Sequence, residues 1–271
     1  MKVTFVGGGN MANALIGGMI NRGFAAAEVQ VIEVVPTARL RLAEQFGVRC
    51  VAAANALATL GDVVVMAVKP QQMREAAGAI ATPLGKASVL SIAAGIRLSD
   101  LSRWLGGSTS LLRCMPNTPA LIGEGITAVY AQPAVDATQR ANAEIILAPA
   151  GKIVWVDSEA LLDPVTAISG SGPAYVFYFI EAMQEAAIEL GLSPATARAL
   201  ALQTFRGATE LATRSDESPA QLRARVTSKG GTTEQALASF ERDRIKEAIR
   251  RGIHAANTRA GELAEQFGKD A

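Results

Sequence analysis

Residues 2–6, Lys2-Val3-Thr4-Phe5-Val6, form a short apolar strand pattern that runs straight into Gly7-Gly8-Gly9-Asn10-Met11-Ala12, and helical periodicity follows over Asn13 to Ile20. This junction predicts a dinucleotide-binding turn. Gly7 permits a tight exit from the strand, Gly9 lets backbone N–H groups approach a pyrophosphate, and the small Ala12 allows the helix to pack close to the strand. The helix then presents the positive end of its dipole to the phosphates. Glycine spacing alone also fits a tight strand-to-helix turn in some other α/β protein. A second strand, Val29-Gln30-Val31-Ile32, favours the nucleotide reading. It ends in Glu33, about twenty residues beyond the loop, where such folds carry the carboxylate that accepts hydrogen bonds from the adenosine ribose.

The pattern along the chain extends this α/β beginning. Strands are expected at Val48 to Val51, Val63 to Val68, Ser88 to Ile92, Ser110 to Met115, Thr127 to Tyr130 and Ile153 to Val156. Helices such as Gln71 to Ala81, Leu98 to Leu105 and Asp136 to Leu147 lie between them. Alternation of this kind predicts a parallel, doubly wound sheet with ligands at the carboxyl ends of its strands. After Asp157 the period becomes helical and stays so. Two domains are therefore expected, a dinucleotide-binding domain over 1–157 and an all-α domain over 158–271. The longest apolar segment, Pro173 to Leu190, stops at Gly191 and is followed by Ser193-Pro194 as cap and first position of the next helix. It is apolar on several faces, so it is expected to be buried in its own domain or against a second subunit.

Composition excludes several functions. With 49% hydrophobic and 19% charged residues and a net charge of +1, nothing steers the chain toward nucleic acid or an anionic membrane. No apolar run approaches the length of a membrane span, and the first strand leaves no room for a signal peptide, so a cytoplasmic protein is expected. Cys50 and Cys114 are isolated thiols, read as core or near-site residues. The basic cluster Arg242, Arg244, Lys246, Arg250 and Arg251 is interleaved with Glu241, Asp243 and Glu247, which reads as a solvated helix face.

The inventory of reactive groups is short. His254 is the only histidine, in a late helix, and reads as structural or surface. A histidine triad and a conventional zinc site both lack their ligands, so no metal is expected. Chemistry has to run on a cofactor, backbone amides and hydroxyls, which suits hydride transfer. The loops at Val68-Lys69-Pro70, at 91–95 and at 113–119 follow expected strands, where the crevice lies. The segment Val226 to Thr233 joins two helices, and two glycines before a helix start flanked by hydroxyls make a suitable carboxylate nest.

Taken together, GGGNMA at 7–12, VKP at 68–70, SIAAG at 91–95, RCMPNTPA at 113–120, SGSGPAY at 169–175 and VTSKGGTT at 226–233 resemble the pyrroline-5-carboxylate reductase family, in the family's order and over nearly the whole chain. The resemblance implies a Rossmann-type sheet followed by a helical dimerisation domain. It implies reduction of the cyclic imine L-1-pyrroline-5-carboxylate to L-proline by NADPH or NADH, in a homodimer that often stacks into decamers and whose sites draw on two chains. Carried over by position, Gly7, Gly9, Asn10, Met11 and Ala12 hold the pyrophosphate and Glu33 the ribose. Val68, Lys69, Pro70, Ala94, Met115, Pro116 and Asn117 lie around the remaining ribose and the nicotinamide. Ser228, Gly230, Gly231 and Thr232 serve the substrate carboxylate. Thr233 places its hydroxyl near the imine nitrogen as the catalytic residue, its plain alternative being a helix cap.

The chain departs from the family's pattern at two places, and at a third two neighbouring residues share a position. Glu33 stands where NADPH-preferring members tend to carry an uncharged polar or basic residue, which predicts appreciable NADH use, while Arg39 and Arg41 are placed to reach back toward a 2′-phosphate. Lys229 replaces a proline common in the glycine loop. An upstream acidic position is carried by Asp216 or its neighbour Glu217. The nearest rival, a β-hydroxyacid dehydrogenase or related imine reductase, needs in its dehydrogenase form a catalytic lysine that 169–175 lacks. A catalytically silent dinucleotide-binding protein has no reason to keep the glycine-threonine nest.

Overall fold

The computed structural model describes residues 1–269. Eight strands form one sheet: β1 (Val3–Val6), β2 (Val29–Ile32), β3 (Arg49–Val51), β4 (Val63–Met66), β5 (Ser88–Ser91), β6 (Leu111–Met115), β7 (Gly125–Ala131) and β8 (Gly151–Trp155). Their order is β3-β2-β1-β4-β5-β6-β7-β8, so the chain winds outward in one direction from β1 and then returns to wind the other way from β4. That reversal places the ligand crevice at the carboxyl ends of β1 and β4.

Helices α1 (Asn10–Asn21), α2 (Pro36–Phe46), α3 (Met73–Ala81), α4 (Leu98–Trp104) and α5 (Ala137–Leu147) cover the sheet. The strands β1, β2, β4 and β5 are buried at every position because both faces are covered. Alternation then sorts their side chains. Val3, Phe5, Val63 and Val65 pack with Leu15, Ile16, Met19 and Leu147 on one face. Val6, Val64 and Met66 pack with Met73, Ile80, Leu98 and Leu101 on the other.

The sheet is parallel except at one pair of strands. β7 runs antiparallel to β6, and β8 is parallel to β7. Residues 116–124 hold only a 3-10 turn at Thr118–Ile122, too short for the crossover that a parallel return requires. The chain reverses instead, and α5 supplies the crossover from β7 to β8.

After β8 the backbone passes through a 3-10 turn at Glu159–Leu161, the short helix α6 (Leu162–Val165) and a π-helical turn at Thr166–Gly170. An ion-pair cluster ties this segment to the sheet. Arg113, 4% exposed in the middle of β6, places its guanidinium 3.1 Å from the Glu159 carboxylate and 3.5 Å from that of Asp163. Glu159 also accepts the Leu98 N–H at the start of α4, at 2.8 Å. Packing divides the chain into one compact unit of 1–171 joined by the stretch from 256 onward, and a second of 172–255. The first thus takes in residues 158–171, which the sequence pattern groups with the helical part.

The second unit consists of α7 (Gly172–Glu189), α8 (Pro194–Arg214), α9 (Pro219–Arg225), α10 (Thr232–Arg242) and the beginning of α11 (Ile245–Lys269). Gly191 takes a φ of +94° after α7. Ser193 caps α8 by accepting the Thr196 N–H at 3.2 Å, with Pro194 at the first helical position. Burial within its own domain, one of the two expectations for the long apolar helix, does not hold: only Ile180 of α7 is buried in the chain, while Phe177, Tyr178, Met183 and Ile188 are exposed. The end of α11 belongs to the first unit, where the Phe267 ring lies against Gly95 and Arg103 donates to the Gly268 carbonyl at 3.2 Å.

Removing one partner of a buried pair leaves the other charge uncompensated. Arg113→Met is expected to cost about 3 kcal/mol in urea unfolding, far more than any surface ion pair. A loss below about 1 kcal/mol would show that the cluster is not holding 158–171 in place.

Candidate active site

β1 leaves the sheet through Gly7, whose φ of +99° and approach to the chain after β4 exclude a side chain: a Cβ there would lie 2.8 Å from the Ala67 carbonyl oxygen. Gly9 is different. Its φ of −72° suits any residue, and a Cβ on it would meet nothing within 4 Å. That open space lies directly before α1, whose first-turn amides have no intrahelical partner and no side-chain cap at Gly9. Asn13 fixes the loop by donating from Nδ2 to the carbonyls of Gly8 and Gly9, each at 2.9 Å. Ala12 is fully buried against the strands, as close helix packing demands.

Glu33 braces the same loop. Its Oε2 accepts the Gly8 N–H at 2.7 Å and its Oε1 accepts the Val35 N–H at 2.8 Å. A carboxylate has about four acceptor positions, so two remain for ribose hydroxyls. Arg39 extends from α2 to the turn after β2, where its Nη1 donates to the Glu33 and Val34 carbonyls at 2.7 and 2.9 Å. Burial raises the pKa of the nearby Cys50 thiol, with Arg39 opposing and Glu33 adding to the effect. Cys114, fully enclosed in β6, is pushed far above the ordinary thiol range by burial alone.

The strand order brings the other expected positions to the same sheet edge. Val68-Lys69-Pro70 follows β4, with Val68 beside Gly7 and Pro70 opening a 3-10 turn. Ala94 lies in the loop after β5, and Met115 ends β6 with Pro116-Asn117 directly after it. Asn117 also holds the chain reversal, its Oδ1 accepting the Ile126 N–H at 2.9 Å. Open space at Gly9, free helix amides and a carboxylate beside them fit a dinucleotide.

The glycine-threonine segment is in the second unit. Gly230 takes a φ of +74°, Gly231 precedes α10, and Thr232 and Thr233 open the helix. Two of the amides expected to serve a carboxylate are already engaged. Gly230 donates its N–H to Glu234 Oε2 at 2.7 Å, and Gly231 donates to the Ser228 carbonyl at 3.0 Å. The amides of Thr232 and Thr233 have no intrahelical acceptor, as first-turn positions. The Ser228 hydroxyl lies beside Gly231, 2.7 Å from where a Cβ would stand. No side chain caps α10, and among the described residues the Thr233 hydroxyl makes no hydrogen bond. Glu217 is ion-paired with Arg225, while among the described residues Asp216 has no ion pair. His254 is exposed on α11. Among the described residues no three His, Cys, Asp or Glu side chains gather into a metal-ligand set.

A pyrroline-5-carboxylate reductase of Pseudomonas aeruginosa is 42% identical over 99% of this chain and 98% of its own length. The chain belongs to the pyrroline-5-carboxylate reductase family. The family model described as pyrroline-5-carboxylate reductase dimerisation matches residues 159–263, and one described as NADP oxidoreductase, coenzyme F420-dependent, matches residues 2–95. Among solved structures, a pyrroline-5-carboxylate reductase from Coxiella burnetii superposes with a TM-score of 0.90 at 38% identity, covering 97% of this chain and 98% of that one. A pyrroline carboxylate reductase from Plasmodium falciparum with NADP bound gives 0.87 at 29% identity, with the same coverage of each chain.

Two features of this member of the reductase family escape a reading of motifs. Asn13 carries no sequence signal, because side-chain amide bonds to loop carbonyls leave no periodic pattern. Glu234 occupies the third helical position, where a glutamate reaches back to amides before the helix, so its signal was present in Gly-Thr-Thr-Glu.

Gly9→Ala separates fold from function. Its Cβ meets no protein atom, so thermal stability should match the parent, while the methyl fills the space left for phosphates. Dinucleotide affinity measured by calorimetry should fall roughly tenfold, about 1.4 kcal/mol. Unchanged affinity would remove Gly9 from the cradle.

Proposed function

We propose that this chain reduces L-1-pyrroline-5-carboxylate to L-proline with NADH or NADPH as hydride donor. The observation that carries the reading is the amino end of α10. Its two leading amides are unclaimed, and beside them stands a threonine hydroxyl with no structural task. A carboxylate on such amides gains charge-assisted hydrogen bonds and a favourable helix dipole.

When bound, the dihydronicotinamide supplies a hydride to the carbon of the ring C=N bond. The chain's own residues bind and orient. Thr232 and Thr233 amides take the substrate carboxylate, with the Ser228 hydroxyl beside them. The Thr233 hydroxyl, directly or through a water it holds, hydrogen-bonds the ring nitrogen and helps set its protonation. An imine protonates on nitrogen and becomes a better hydride acceptor, so this site does not need a histidine. Glu234 holds Gly230 in place and keeps that amide from the substrate. The cradle residues Gly7 to Ala12, Val68 to Pro70, Ala94 and Met115 to Asn117 hold the dinucleotide in this reading.

Glu33 sets the cofactor preference. Its carboxylate accepts ribose hydroxyls and repels a 2′-phosphate, while the guanidinium of Arg39 offsets part of that repulsion. NADH use is therefore at least as efficient as NADPH use. The bare apolar face of α7 supports a homodimer, and decamers stacked from such dimers follow the family resemblance. Two unbridged thiols support a reducing, cytoplasmic setting. No helix among the described residues is long and apolar enough to cross a membrane.

Steady-state oxidation of each dinucleotide at 340 nm, with proline formation confirmed, tests the reading. Turnover is expected, with kcat/KM for NADH equal to or above that for NADPH, and Glu33→Gln should move the ratio toward NADPH. No turnover with either dinucleotide would overturn the function. Thr233→Ala should lower kcat/KM for the imine at least tenfold, roughly 1.4 kcal/mol of transition-state stabilisation. Thermal stability should be retained, since the hydroxyl caps nothing, and full activity in that variant would remove Thr233 from the chemistry.

A further inference from the structure

The π-helical turn Thr166–Gly170 lies outside every role described so far. π-turns are rare and persist mostly where a site needs the displaced backbone. This one closes with the Ser171 N–H donating to the Thr166 carbonyl at 2.8 Å. The Thr166 and Ser169 hydroxyls bond back to the carbonyls of Leu162 and Val165 at 2.7 and 3.1 Å.

Gly170 ends the turn. Its φ is not among the positive ones, so the backbone does not demand glycine there. Space does. A Cβ on Gly170 would stand 2.6 Å from the terminal methyl carbon of Met115, well inside contact distance. Met115 is the last residue of β6, directly before Pro116 and Asn117. Both sides of this contact are anchored by one ion-pair cluster. Two residues earlier in β6, Arg113 is paired with Glu159 and Asp163, in the segment that leads into the turn. With both backbones held, an added methyl has to displace the flexible Met115 side chain.

We propose that Gly170 is a positioning residue, whose missing side chain lets the π-turn close on Met115 and fixes that thioether as a wall for the nicotinamide end of the dinucleotide. The inference rests on the placement of Met115 beside the nicotinamide in the proposed function.

The test uses the full-length protein and its Gly170→Ala, Met115→Ala and double variants. In methyl-labelled methionine NMR spectra of the dinucleotide-free protein, Gly170→Ala should shift the Met115 methyl signal. The same variant should weaken dinucleotide binding and lower kcat/KM for the dinucleotide by roughly tenfold, the scale on which small misplacements act. The KM for the imine and the melting temperature should stay as in the parent. Met115→Ala carries its own cost, but adding Gly170→Ala to it should change neither binding nor kinetics further, because the atom it displaces is gone. An unmoved Met115 signal, unchanged affinity in Gly170→Ala, or an equal loss in both backgrounds would each overturn the inference alone. A parent chain that bound neither dinucleotide would overturn the proposed function and this inference with it.

Discussion

A guanidinium with almost no access to water sits in the middle of β6, and its neutralisation organises the edge of the sheet where ligands belong. Desolvating a charge costs several kcal/mol unless partners surround it. Arg113 finds Glu159 and Asp163, 46 and 50 residues further along the chain. Glu159 also holds the first amide of α4. One cluster therefore ties together the strand that leads into Pro116-Asn117, the helix that follows the 91–95 loop, and the segment leading to the π-turn. The loops after β5 and β6 are short extensions of elements fixed in this way.

Electrostatics at the other end of the crevice works through backbone groups. The first turn of α1 offers unclaimed amides over open space at Gly9, and Glu33 and Asn13 hold the loop from its two sides, one accepting an N–H and the other donating to carbonyls. The amino end of α10 repeats the device on a smaller scale. Glu234 takes the Gly230 amide and leaves those of Thr232 and Thr233 free. Both sites thus use a side chain to fix the glycines and keep the helix's own leading amides for a ligand. The chemistry such a pair supports is binding and orientation of two anions, with the reactive atom carried by a cofactor.

Much of this was legible in the residues. Runs rich in apolar residues marked the strands, because strands buried on both faces need them, and Gly7 marked the turn because only glycine tolerates φ of +99° at 2.8 Å from a carbonyl. Asp136, Ser193 and Pro194 stood where local capping chemistry puts them. What could not be read was pairing at a distance. Nothing local in Arg113 announces Glu159, so residues 158–171 looked like the start of the helical part, although they pack on the sheet. The reversal into β7 was hidden by an alternating pattern that does not encode strand direction. The amides of Gly230 and Gly231 looked free until their partners were visible. Motif order gave the family, and the tertiary bonds show which members of each motif are left to act.

The central claim is that hydride passes from a dihydronicotinamide to the C=N carbon of a cyclic imine held by its carboxylate. It is tested most directly by turnover with NADH deuterated at C4, prepared separately on each face, followed by NMR and mass analysis of the proline formed. The account predicts a single deuterium at the ring carbon bonded to nitrogen and remote from the carboxylate, from one face of the nicotinamide only. Proline formed without that deuterium from either face, with hydrogen drawn from solvent instead, would contradict it.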